Sequence, residues 1–358
     1  MVASRAIPYN SPKQPSRGIT MSHTAAADTA EAEELHRACT VVDLHADTPY
    51  LMCLGYDIAA RHEPPLPEDS LAFHLDLSRA RQGGLGAQFF GLISPSHRWM
   101  RPATLVDWQL NALDRAAAHS PDRFVLCRDA TQVREARAAG KLAGLRGIEG
   151  AHALQGDLLR VEHFAGRGVA YLGLLHFVDN EAGAPAHGRG RDDALGLTGF
   201  GRQLVDELNR LRVIVDLAHI NRRGFLEAAA RSRRPVIVSH TGVLGVHRHW
   251  RNIDDDQIRA VAESGGCIGI IFSRRFLGQA GIDGVCAHLE HVIDVGGDDT
   301  PALGSDFDGF VRPPLGLADV RGLPNLTAAL LRRGHPIERV QRILGENALR
   351  VLREVRGG

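Results

Sequence analysis

The chain has 358 residues, 44% apolar and 23% charged, with 42 basic side chains against 42 acidic ones and no formal net charge. Length and composition suit an ordinary globular protein of one large domain or two smaller ones. The charge balance argues against nucleic acid or an anionic membrane surface as a partner, and no stretch approaches the roughly 18 apolar residues that span a bilayer.

Residues 1–30, with Pro8, Pro12 and Pro15, read as a disordered arm without the apolar core of a secretory signal. Met21 is a possible alternative start, and a cytoplasmic location is expected. Residues 31–358 read as one domain. Glu31 to Cys39 is expected to be a helix, and Val41 to Leu44 a strand running into His45-Ala46-Asp47. A proline-rich loop, Tyr50 to Phe73, follows this strand end and is placed to cover a site there. Seven more apolar runs follow: Gly86 to Ile93, Leu142 to Ile148, Val169 to Leu175, Val213 to Leu217, Val236 to Ser239, Cys267 to Phe272 and Pro301 to Ser305. Helix-like stretches separate them, at Leu105 to Ala118, Thr131 to Ala139, Asp157 to Ala165, Gly201 to Leu211, Arg223 to Ala230, Asp254 to Glu263 and Ala287 to Val295. Leu326 to Arg332 and Glu338 to Val355 close the chain as outer helices. Short apolar runs alternating with helices mean parallel strands, and eight of them predict a (β/α)8 TIM-like barrel of the metal-dependent hydrolase type. The five cysteines are scattered without CxxC spacing, as suits reduced buried thiols.

Six of the eight runs end in a group that binds metal or moves protons: His45/Asp47, Glu149, His176, His219, His240 and Asp306. Catalytic groups of such barrels sit at these strand ends. Any one of them alone is more often a satisfied core or loop residue; coincidence at six ends is what carries the signal. His45 and Asp47, two apart on a strand, share a face and can bind one ion. His219 and His240 can bind a second, with Glu149 the natural bridge between them. Two ions about 3.5–4 Å apart can hold a bridging hydroxide and polarise a carbonyl. Asp306 can then move a proton to the leaving amine, and His176 can donate to the oxyanion. His152 and Asp308 are expected to support these groups from behind, and His288 and His291, within a helix, to be surface or packing residues.

These residues also lie in segments that resemble the membrane (renal) dipeptidases, binuclear zinc peptidases of the amidohydrolase superfamily: VVDLHADTP from Val41, GGLGAQFF from Gly83, GIEGAHAL from Gly147, GLTGFGRQLVDELNRL from Gly196, VDLAH from Val215, VSHT from Val238, RNIDDDQ from Arg251 and GSDFDG from Gly304. The resemblance, from about Thr40 to Val355, implies one zinc on His45, Asp47 and Glu149, and another on Glu149, His219 and His240. It implies that His176 contacts the scissile region, that Asp306 transfers protons, and that Arg251 grips the dipeptide's C-terminal carboxylate. The implied activity is hydrolysis of free dipeptides, extending to a C-terminal D-residue, by a homodimer. The segment Leu175-His176-Phe177-Val178-Asp179-Asn180, Ile271 and the loop Asn180 to Asp193 depart from the family pattern, so side-chain preference stays open. Deacylation of an N-acyl amino acid is the alternative reaction, and a homologue that binds metal without catalysis is the alternative from another class.

Overall fold

The computed structural model describes residues 23–64, 68–94 and 101–358. Residues 1–22 of the expected arm, Met21 among them, and Pro65 and Pro67 of the proline-rich loop lie outside the described residues.

Nine strands form one sheet: β1 (Val41–Ala46), β2 (Leu85–Ile93), β3 (Phe124–Leu126), β4 (Leu142–Glu149), β5 (Val169–Gly173), β6 (Ile214–Asp216), β7 (Ile237–Thr241), β8 (Cys267–Ile270) and β9 (Pro301–Leu303). Every pairing is parallel. The order β1-β2-β4-β5-β6-β7-β8-β9 closes on itself through Asp43 opposite Leu303, giving the eight-stranded barrel with its surrounding helices. All eight expected runs are barrel strands. The ninth strand, β3, was not expected; it pairs only with Leu142, Ala143 and Gly144, the part of β4 that precedes its pairing with β5.

Successive side chains along the strands divide between two apolar clusters, as alternation dictates. Val42, Leu44, Ala87, Phe89, Ala143 and Leu145 join Tyr171 and the C-terminal helix Asn347–Arg356. Val41, Phe90, Leu92 and Ile148 pack instead with the helices outside. Both faces of each strand are thereby buried, which is why the runs read as continuous rather than alternating.

Several helical boundaries differ from expectation, and the short helices Leu77–Gln82 and Arg274–Leu277 were not expected. The first helix spans His23–Ala38, its start extended through an alanine-rich stretch of high helix propensity. The proline-rich loop opens with a helix, Thr48–Cys53, where Pro49 stands in the first turn and costs no hydrogen bond. The last helix is interrupted: Ile337–Gln341 and Asn347–Arg356 flank a π turn, Arg342–Glu346. Gly345 in that turn lies so near the chain before β1 that a Cβ would fall 2.0 Å from the Thr40 carbonyl oxygen. The five cysteines are free, and all but Cys53 are buried. Among the described residues no helix is long and apolar enough to cross a membrane.

Candidate metal centre and its surroundings

The C-terminal strand ends bring His45, Asp47, Glu149, His176, His219, His240 and Asp306 together. His45 and His240 lie within β1 and β7, and Glu149 ends β4. His176, His219 and Asp306 each follow a strand by three residues. Glu149 is the hub: its Oε1 lies 2.9 Å from His219 Nε2, 3.4 Å from His240 Nε2, 3.7 Å from His45 Nε2 and 3.8 Å from His176 Nε2. His45 Nε2 is 3.3 Å from Asp47 Oδ1 and 3.9 Å from Asp306 Oδ1. His219 Nε2 and His240 Nε2 are 3.0 Å apart. On the β2 side Gly91 leaves room for this group, since a Cβ there would lie 2.5 Å from the His45 ring.

Two carboxylates clasp the strands that carry these residues. Asp216, at the end of β6, accepts the backbone N–H and the hydroxyl of Ser239 at 2.8 and 2.7 Å. Asp43 in β1 accepts the same two groups of Ser305, at 2.7 and 2.5 Å. Because the Ser239 hydroxyl proton is committed to Asp216, its oxygen accepts from His240 Nδ1–H at 2.9 Å, leaving the Nε2 lone pair turned to the site. His45 Nδ1 is similarly fixed by the Tyr171 hydroxyl at 2.7 Å. His219, Asp306 and Asp308 have φ of 69°, 61° and 67°, a left-handed region that non-glycine residues avoid. Such strain persists where the surroundings over-determine the backbone, and it clusters at functional sites.

The electrostatics call for cations. Burial holds His219 and His240 well below the usual histidine value. Burial would lower His45 too, but Glu149, Asp47 and Asp306 outweigh it and raise its pKa to about 10. Asp47 is pushed up to about 6 by burial and by Glu149, and Asp306 well above the carboxylate range by burial and by Asp47. Burial works against the Glu149 anion, yet the neighbouring histidines hold its pKa well below the usual value. His45 Nε2, Asp47 Oδ1 and Glu149 Oε2 are buried without a hydrogen-bond partner. Buried polar atoms without a partner call for an explanation, and three of them converging at one point suit a bound cation. Three overlapping triads have ligand atoms within 4.8 Å of one another: His45, Asp47 and Glu149; Glu149, His219 and His240; and His45, His240 and Asp306. Nitrogen and carboxylate donors in this number suit zinc or a similar divalent ion. The third triad also gives Asp306 a possible place as a ligand, beside the proton-transfer role expected of it.

Residues 29–357 match the family of membrane dipeptidases, peptidase family M19. The chain belongs to that family. It is 32% identical over 342 residues to an uncharacterized dipeptidase of Schizosaccharomyces pombe, covering 89% of this chain and 81% of that one. Its structure is similar to that of dipeptidase AC, a metallo peptidase of family M19, at 31% identity and a TM-score of 0.77, covering 89% of this chain and 99% of the other. A metallo peptidase of Rhodobacter sphaeroides liganded with a phosphinate mimic of the dipeptide L-Ala-D-Ala is similar at 28% identity and a TM-score of 0.78, over 88% and 99% of the two chains. The chain is therefore a metallo-dipeptidase, and the family implies metal ions.

Arg251 is buried beside the centre. Its Nη2 donates to the His240 carbonyl at 2.6 Å and lies 3.2 Å from His219 Nε2; its other guanidinium nitrogens have no partner among the described residues. His152 bonds the Val178 carbonyl at 2.9 Å, supporting the loop that carries His176. Asp308 accepts from Thr48 Oγ1 at 2.6 Å and from the His74 amide at 2.7 Å, and its own amide bonds His74 Nδ1 at 2.9 Å. His74 thus ties the return of the proline-rich loop to the segment bearing Asp306. Sequence reasoning missed His74, Tyr171, Asp43, Ser305, Asp216 and Ser239. The serine and aspartate pairs had one visible signal, a polar residue breaking each apolar run close to a site residue.

Proposed function

We propose that the chain hydrolyses the peptide bond of free dipeptides with two zinc ions, one held by His45, Asp47 and Glu149 and the other by Glu149, His219 and His240. The position of Glu149 carries this reading, because its Oε1 faces His219 and His240 while Oε2 lies buried and unpartnered. When bound, such ions lower the pKa of a water toward neutrality and polarise the substrate carbonyl.

The protein's own groups supply the rest. Arg251 offers unpartnered guanidinium nitrogens to the substrate's terminal carboxylate, a pairing that is bidentate and charge-assisted. Burial keeps His176 below the usual histidine value, so at neutral pH it is an uncharged donor for the oxygen that becomes negative in the transition state. Asp306 takes a proton from the attacking water and delivers it to the leaving nitrogen. Acceptance of a C-terminal D-residue is supported by the dipeptide mimic bound to the Rhodobacter sphaeroides relative.

Hydrolysis of L,L and L,D dipeptides, their C-terminal amides and N-acetyl amino acids by the zinc-loaded protein tests the reading. Cleavage of free dipeptides and discrimination against the amides are expected. Cleavage of N-acetyl amino acids alone would replace it with deacylation.

A further inference from the structure

A cavity of about 600 Å³ opens beside the metal centre and, among the described residues, meets it through His219 and Arg251. That size is within the range of small-molecule sites. Its wall includes Leu217, Ile220, Leu244 and Trp250. Trp250, the residue before Arg251, is packed among aromatic rings: His187 stacks on it at 4.0 Å, and His249, Phe276 and Phe177 stand at 4.8, 5.8 and 6.0 Å. Phe177 continues this surface to the centre, with its ring 4.8 Å from His219 and 4.4 Å from His176. It is 38% exposed, so part of the ring is free to meet a ligand.

Arg251 apart, the charged groups around the cavity neutralise one another. Arg191 pairs with Asp193 at 2.5 Å, Arg222 with Asp254 at 2.5 Å and Arg223 with Glu227 at 3.2 Å. These pairs are partly exposed, so a charged side chain entering here finds no free counter-charge among them and gains little. An aromatic or large aliphatic one would bury its surface against Trp250 and Phe177.

We propose that this cavity receives the side chain of the substrate's C-terminal residue and that Trp250 and Phe177 make it select a bulky, uncharged side chain. The inference rests on the dipeptidase reading of Arg251. A residue's side chain and carboxylate branch from the same carbon, so a carboxylate held on Arg251 brings the side chain to the cavity that Arg251 lines. Glycine or alanine would leave that space unfilled.

The test is the kcat/KM series for free Ala-X dipeptides with X as Gly, Ala, Leu, Phe, Trp, Asp and Lys, in both configurations of X, using the full metal-loaded chain. In at least one configuration the value is expected to rise about tenfold or more from Gly to Phe, as burial of a large apolar side chain implies, and to fall for Asp and Lys. Trp250→Ala and Phe177→Ala should each shrink the Phe-to-Gly ratio, and Trp250→Phe should keep most of it. A flat wild-type series with Ala-Gly still cleaved would overturn the pocket and leave the dipeptidase reading standing. No cleavage of any dipeptide would overturn both. If the alanine variants fold and keep the full ratio, these two residues do not select. If they fail to fold, the wild-type series decides by itself.

Discussion

Asp43 and Ser305 are joined across the closing edge of the barrel: one carboxylate accepts both the amide and the hydroxyl of the serine, at 2.7 and 2.5 Å. Asp216 and Ser239 repeat the arrangement at 2.8 and 2.7 Å. In each case the serine immediately precedes a site residue, Asp306 or His240, and the aspartate lies two or three residues before a histidine, His45 or His219. Each clasp therefore fixes two functional side chains on neighbouring strands.

Ser239→Ala removes the acceptor of His240 Nδ1–H and one bond to the buried Asp216. Metal affinity should fall roughly 10–100-fold, the usual effect of losing a group that orients a ligand. Titration with a competing chelator measures it. Unchanged retention of both ions would show that the clasp only holds the strands.

Asp306→Asn keeps the shape of the side chain and removes the proton acceptor. A fall in kcat of about 10²–10⁴ is expected for a lost acid–base group. Metal content should be measured in parallel, because Asp306 lies within reach of His45 and His240. Loss of an ion in the variant would assign Asp306 to the ligands.

Arg251→Lys retains the charge and loses the planar fork. KM for free dipeptides should rise more than kcat falls, and discrimination against C-terminal amides should shrink. Steady-state kinetics on a matched acid and amide reads both effects. Equal preference for acid and amide in the wild type would remove the clamp from the account.

His288, expected at the surface or in packing, is fully buried. It accepts from the Val243 amide at 2.9 Å and donates to the Leu277 carbonyl at 3.2 Å. Burial is the main cause that lowers its pKa from 6.5 to about 4. The unfolded chain takes up this proton near pH 6.5, whereas the folded chain resists it until about pH 4. Its contribution to stability is thus full above pH 6.5 and is lost as pH falls through that window. His288→Gln should make the stability–pH slope in that window shallower by about 1.4 kcal/mol per pH unit, one proton's worth. Urea unfolding of both proteins at several pH values measures it, and identical slopes would contradict it.

The barrel was legible because its strands are buried on both faces and each carries an unbroken apolar run. β3 was not, since three residues paired to the start of β4 leave no periodic signal. The strand-end residues were legible because their chemistry sits where apolar runs stop. Their supports were not: Tyr171 reads as one more core aromatic, and only the closed barrel brings its hydroxyl to His45. His74 lies in an irregular loop 234 residues before Asp308, and no local pattern forecasts their two hydrogen bonds. Phe177 and Trp250 were visible as residues, but their place beside Arg251 and His219 depends on how two loops fold over the barrel mouth.

The proposed reaction depends on Glu149 joining two metal ions into one hydrolytic centre. The most direct measurement is metal content per chain together with dipeptide turnover, for the wild type and for Glu149→Gln. Two ions and turnover are expected in the wild type, and in the variant the loss of at least one ion with turnover down by a factor of about 10³ or more, since the ions would supply both nucleophile and carbonyl activation. Normal turnover by Glu149→Gln, or full wild-type turnover with a single ion bound, would contradict it.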